Sequence, residues 1–182
     1  MESTNNLKKI HLGDYQFLKS RYILKYLKVC SLTKNIPEEF CKKCLPLKQD
    51  LNLEDFLRKI NLVLRENVGE KKKKAKSFEE SRFLTAREIL KRKIVSCGST
   101  TTIFAAVLRK QRIPTKLVHG KIREAKRADT RHAWLKIYNP LNKKWIVIDP
   151  MRQDFSLCPR AYPVRQYQDW SELKKDYKKG KW

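Results

Sequence analysis

"SCGSTTTIFAAVLRK", residues 96–110, decides how the rest of the chain is read. Ile103 with Val107, and Phe104 with Leu108, stack four residues apart. Ala105 and Ala106 fill the other side. The stretch therefore predicts a helix that is apolar nearly all round and central to the core. Arg109, Lys110 and Arg112 sit where its negative end would be. Cys97 stands at its start. It is either one more small core residue or a nucleophile, held where unpaired backbone N–H groups and the helix dipole favour a thiolate.

Working outward, the residues before this stretch read as helices. "NLEDFLRKINLVLRENV" (52–68) repeats Phe56, Ile60, Val63, Leu64 and Val68 at intervals of three or four, the pattern of an amphipathic helix. Asn52 suits its N-cap, and Glu54 and Asp55 suit its first turn. "LTAREILKRKIVS" (84–96) opens with Thr85 and Glu88 at capping-box spacing. "DYQFLKSRYILKYLKVC" (14–30) places Tyr15, Leu18, Tyr22, Leu24 and Leu27 near helical spacing and predicts another helix. "IPEEFCKKCLP" (36–46) is bracketed by prolines and predicts a short helical turn or a loop. "GEKKKKAKSFEE" (69–80) reads as a solvated loop.

From Pro114 the character changes. "TKLVHGKI" (115–122), "RHAWLKIY" (131–138) and "KWIVID" (144–149) are short, rich in β-branched and aromatic residues, and separated by turn signals. "NPLNKK" (139–144) predicts a hairpin turn. Residues 151–182 carry Pro159 and Pro163, then "SELKKDY" (171–177), which suggests one short helix. Helices first and antiparallel strands second make an α+β domain.

The chain has 182 residues, enough for one domain with one sizeable core. We expect a single domain over 1–182, with a core at about 53–150, an N-terminal helical extension at 1–52 and a basic C-terminal tail at 151–182. The formal net charge of +24, from 43 Lys+Arg against 19 Asp+Glu, makes contact with a polyanion plausible. No segment has the roughly 18 apolar residues of a membrane span, and the N-terminus lacks the apolar core of a secretory signal. Cys30, Cys41, Cys44, Cys97 and Cys158 form no disulfide framework. Together these features predict a cytoplasmic monomer with free thiols.

Thiolate chemistry needs a base near the sulfur and a group that orients the base. His132 opens "HAWLKIY" and Asp149 closes "WIVID". A hairpin turning at 140–144 brings both to the same end of the sheet, and strand alternation lets both side chains share a face. These pieces come in a fixed order: a cysteine opening a helix, an R-x-x-x-I-P exit, a V-x-G strand, an H-A-W strand start and a W-x-x-x-D-P strand end. In that order the sequence resembles the core of the transglutaminase-like superfamily, whose members carry a Cys-His-Asp triad on a papain-like α+β fold. The resemblance implies Cys97 as nucleophile, His132 as general base and acid, and Asp149 as the orienting carboxylate, with no metal or cofactor. It implies a central helix carrying the nucleophile, packed on an antiparallel sheet. The family usually has Gly before the cysteine and Gly-Ile-Pro after the helix. Here Ser96 and Arg112-Ile113-Pro114 stand in those places.

The implied activity is acyl transfer from an amide bond of a protein or peptide substrate through a thioester. Hydrolysis would make the protein a peptidase or amidase, and an amine acceptor would make it a transglutaminase. An alternative from another class is a non-catalytic basic module for nucleic acid or another polyanion. Trp134 and Ser96 are expected beside the substrate. The backbone N–H of Cys97 should serve the oxyanion hole, whose second donor the sequence leaves unplaced. Cys41-x-x-Cys44, with Cys30 nearby, supplies one ligand pair where a structural zinc site normally needs two. His119 in "VHG" reads as an ordinary strand residue.

Overall fold

The 96–110 stretch forms the helix around which the other elements pack. In chain order, two 3-10 turns (Thr4–Lys9 and Leu12–Tyr15) lead to α1 (Arg21–Leu24), another 3-10 turn (Lys25–Leu27), α2 (Glu38–Cys44) and α3 (Leu53–Val68). Then come β1 (Lys73–Lys74), α4 (Phe78–Arg82), α5 (Ala86–Arg92), β2 (Ile94–Val95) and the central α6 (Cys97–Lys110). The second half holds β3 (Thr115–Ile122), β4 (Thr130–Asn139), β5 (Lys144–Ile148), β6 (Ala161–Tyr167) and α7 (Trp170–Lys178). This computed structural model describes residues 4–16, 18–27, 35–45, 51–70, 72–123, 130–168 and 170–179.

Every residue of α6 from Gly98 to Arg109 is buried. It lies across β3 and β4, with α3, α4 and α5 packed around it. Ile103, Phe104, Val107 and Leu108 are fully covered, each worth about 1.5–3 kcal/mol of apolar burial. Its buried threonines satisfy their hydroxyls locally. Thr101 Oγ1 donates to the Cys97 carbonyl, and Thr102 Oγ1 donates to the Gly98 carbonyl at 3.0 Å.

The sheet runs β5-β4-β3-β6, antiparallel throughout. One face meets α6 through Leu117, Ala133, Leu135 and Ile137. The other carries a smaller cluster built on Val118, Trp134 and Ala161. The hairpin expected at 139–144 joins β4 to β5 in the register Leu135↔Ile148. The caps read from the sequence are present too. Asn52 Oδ1 accepts from Asp55 N–H at 2.9 Å, and Thr85 with Glu88 forms the capping box of α5.

Three segments differ from the sequence expectation. Residues 14–16 and 18–27 form not one helix but a succession of short turns, restarted after Ser20, and residues 28–30 of the expected helix lie outside the described residues. Tyr15 and Ile23 are buried while Tyr22 is 58% exposed, so the spacing marked the core face only in part. The lysine-rich loop is shorter than expected. Lys73–Lys74 pair in parallel with Ile94–Val95, and Ser77 caps α4, accepting from Glu80 N–H at 3.1 Å.

The third difference is at the C-terminal end. Residues 161–167, read as part of a basic tail, supply an edge strand of the same core, while the short helix suggested at 171–177 is present as α7. Proline is disfavoured inside a strand, and Pro163 lies within β6. It is tolerated because β6 is an edge strand and a register shift at His119/Gly120 falls beside it. Trp170 is 0% exposed, and its indole N–H donates to Thr102 Oγ1 at 3.1 Å. Trp170→Ala should therefore destabilise the domain by about 3–5 kcal/mol. Chemical denaturation would show this as a lowered midpoint. An unchanged midpoint would return the segment to the status of a tail.

Candidate active site

Ser96 sets the position of Cys97. Its extended backbone ends β2, and its Oγ accepts from Ser99 N–H at 3.1 Å. Ser99 Oγ in turn accepts from Ser96 N–H at 2.8 Å. This reciprocal cap makes Cys97 the first residue of α6, so its own N–H has no partner within the helix. Ser96 Oγ also lies 2.8 Å from Ser81 Oγ, which ties the cap to α4. The half-buried Ser96 hydroxyl thus supports the cap beside the nucleophile.

His132 lies near the start of β4, opposite Gly120 in the register. A Cβ on Gly120 would come within 2.2 Å of the Trp134 ring and 2.3 Å of the Tyr162 carbonyl. The glycine therefore allows Trp134 to lie across β3, where its ring sits 5.9 Å from that of His132. Trp134 is 1% exposed. That burial changes its reading from substrate contact to a packed support under His132.

Asp149 follows β5 directly and is held by a turn. Its N–H donates to the Phe155 carbonyl at 2.9 Å, and its carbonyl accepts from Arg152 N–H at 3.1 Å. Its Oδ1 accepts from Met151 N–H at 3.0 Å, and its Oδ2 lies 2.7 Å from His132 Nε2. With Nε2 occupied, Nδ1 is the ring nitrogen left for Cys97, whose thiol and the His132 ring shift each other's titration. The structure thus pairs His132 with Asp149, and Cys97 opens α6 where His132 influences its thiol.

The electrostatics follow from these contacts. Burial alone would raise the Cys97 pKa. The His132 hydrogen bond and the charges of Arg82 and His132 outweigh it and hold the thiol at about 6. Burial alone would lower His132. Its hydrogen bonds to Asp149 and Cys97 outweigh that and raise it to about 9. Both shifts favour the thiolate–imidazolium form of the pair. Other thiols move the opposite way. Burial raises Cys41 and, with Cys41 beside it, pushes Cys44 up to about 12. Both are core side chains of α2. Cys158 is half-buried, and Cys30 lies outside the described residues.

One residue of the site escaped the sequence reading. Arg82, at the end of α4, is 2% exposed, and its Nη2 donates to Cys97 Sγ at 3.4 Å. Its Nη1 donates to Ser81 Oγ at 2.7 Å. The available signal was Ser77-Phe78-Glu79-Glu80, a capping pattern hidden at the end of a lysine run. His119 is buried 5.9 Å from the Phe78 ring. Burial, with Arg82, Arg131 and Lys121 nearby, holds it at about 4 and keeps it neutral.

A cleft of about 480 Å³ is lined in part by Val95, Thr100, Pro150 and Met151, near neighbours of Cys97 and Asp149 along the chain. A larger one, about 910 Å³, lies among α2, α3 and α5, and none of its lining residues belongs to the site.

A model of the transglutaminase-like superfamily matches residues 43–150, more than half of the chain. The protein belongs to the transglutaminase-like superfamily. The match starts ten residues before the core expected at 53 and ends where that core was expected to end. No curated protein matches the sequence. Among solved structures, the fold is similar to that of a "Putative Cysteine Protease" from Cytophaga hutchinsonii, with a TM-score of 0.63 at 13% identity. The alignment covers 85% of this chain and 50% of that one, so this chain spans half the length of that protein.

Proposed function

We propose that this protein is a cysteine-dependent enzyme that cleaves amide bonds through a thioester, acting as a peptidase or amidase. The observation that supports the reading is the His132–Asp149 pair, 2.7 Å apart, with Cys97 at the N-terminus of α6, and the downward shift of the thiol and upward shift of the imidazole agree with it. Cys97 Sγ attacks the carbonyl carbon, a C–S bond forms, and the carbonyl electron pair moves to oxygen. The Cys97 N–H donates to that oxygen. His132 gives its proton to the amide nitrogen, the C–N bond breaks, and the amine leaves. His132, now neutral, takes a proton from water as the water oxygen bonds to the thioester carbon. The C–S bond then breaks, releasing the acid and restoring the thiolate.

The substrate class that suits this chemistry is a protein or peptide. All three groups come from one chain, so the reading requires no second subunit. The free, acidic thiol suits a reducing compartment such as the cytoplasm. Among the described residues no helix is long and apolar enough to cross a membrane. A basic binding module remains the second reading, supported by the net charge of +24. It leaves the Cys97–His132–Asp149 chain without a use.

Turnover should follow a bell in pH. The sign is set by the two groups: below about 6 Cys97 takes up a proton and stops attacking, and above about 9 His132 loses the proton the leaving amine needs. Profiling wild type and Cys97→Ala on a library of acyl amides, with and without a primary amine, tests this. The reading expects free acid as the main product and a plateau between those limits. Accumulation of the new amide would make the enzyme a transglutaminase. Turnover that persists in Cys97→Ala would remove the reading altogether.

A further inference from the structure

Arg82 places an obligate cation in the interior, and its surroundings raise the question of what balances it. Among the described residues no carboxylate lies within salt-bridge reach of its guanidinium, and its Nε has no hydrogen-bond partner. The Phe78 and Trp170 rings lie 5.4 and 5.6 Å from it, and Ser81 accepts from Nη1. These neighbours are neutral. The one group in contact that can carry a negative charge is Cys97 Sγ. Room for this contact comes from Gly98, where a Cβ would sit 2.0 Å from Arg82 Nη1 and 2.3 Å from the Ser81 carbonyl. A glycine directly after the cysteine is therefore what lets the guanidinium reach the sulfur.

We propose that Arg82 is a fourth catalytic residue, the counter-cation of the Cys97 thiolate, completing a buried chain of alternating charge from Arg82 through Cys97 and His132 to Asp149. The proposal rests on the cysteine-enzyme reading above. A buried cation without an anion is costly, and ionising Cys97 relieves that cost, so arginine and thiolate stabilise each other. Acylation removes the sulfur's charge as the C–S bond forms and leaves Arg82 unbalanced. Deacylation returns the electron pair to Sγ beside the guanidinium, which makes the thiolate a better leaving group. The charges facing Cys97 are Arg82 from α4, His132 from β4 with Asp149 behind it, and the N-terminus of α6 itself. His119 on β3, neutral across this range, influences Arg82 without competing for it.

The test is the rate of iodoacetamide labelling of Cys97 against pH in wild type, Arg82→Gln, Arg82→Lys, His132→Ala and the double variant His132→Ala/Arg82→Gln. Circular dichroism checks folding in each. Arg82→Gln should move the labelling midpoint up by about one pH unit and slow labelling at pH 6 roughly fivefold. Arg82→Lys should recover part of that shift, since it keeps the cation and loses the planar fork. His132→Ala should keep a midpoint below the roughly 8.5 of a free cysteine, and the double variant should move closer to that value. A folded Arg82→Gln with the wild-type profile would overturn the proposal. So would a His132→Ala midpoint already at the free-thiol value, a result that does not depend on Arg82→Gln folding. Wild-type Cys97 that fails to label selectively would instead remove the enzyme reading on which the proposal stands.

Discussion

Cys97→Ala is expected to lose amide cleavage by about 10⁶-fold while keeping the fold. The size of the loss reflects the covalent route. Without sulfur no thioester forms, and the remaining groups offer only binding and oxyanion stabilisation. The fold should survive because the position asks little of the side chain's bulk. Cys97 opens α6 under a cap made by Ser96 and Ser99, and an alanine fits that first turn as well as a cysteine. Turnover on the responsive acyl amide, with a thermal melt beside it, checks both halves. A variant that melts like wild type and turns over at more than a hundredth of its rate would place the chemistry elsewhere.

His132→Ala carries the second large effect. Its imidazole holds the thiol ionised and moves the proton in both half-reactions, so its loss should cost about 10²- to 10⁴-fold from acid–base catalysis, with a weaker nucleophile in addition. Asp149→Asn should do less. The amide oxygen of the substituted side chain can still accept from His132 Nε2, so the ring keeps its orientation and loses the negative charge. The loss of a charge-assisted hydrogen bond is worth about 1.5–3 kcal/mol, or roughly 10- to 100-fold in rate. The pH profile separates the two. In Asp149→Asn the upper limb should fall below about 9, because the hydrogen bond and charge of Asp149 are leading causes that raise His132. Equal losses in the two variants, with no movement of the upper limb, would mean that Asp149 supports the turn at 149–155 and not the base.

What the sequence disclosed and what it hid follow from the range of the forces involved. β3, β4 and β5 were legible because β-branched and aromatic runs between turn residues report strand geometry locally. The hairpin then fixed the meeting of His132 and Asp149 without knowledge of anything else. α6 was legible because its apolar residues leave no polar face. Arg82 was not legible, since a single arginine in "EESRF" looks like any solvated cation. Its burial depends on Trp170 and Gly98 arriving from separate parts of the chain, beside Phe78 of its own helix. β6 was not read from the sequence: it carries Pro163, whose tolerance in a strand depends on strand order, and strand order is a tertiary fact. Trp134 was read as a pocket residue from its place in the motif. Gly120 on the neighbouring strand draws its ring into the sheet.

The most direct measurement is peptide mapping after brief iodoacetamide treatment of the native wild-type protein at pH 6. The thiol of Cys97 is held at about 6, whereas burial raises Cys41 and pushes Cys44 up to about 12. The account predicts label on Cys97 ahead of every other cysteine, with that preference weakened in His132→Ala. Label on Cys158, Cys30, Cys41 or Cys44 with Cys97 untouched would make Cys97 a packing residue and contradict the account at its centre.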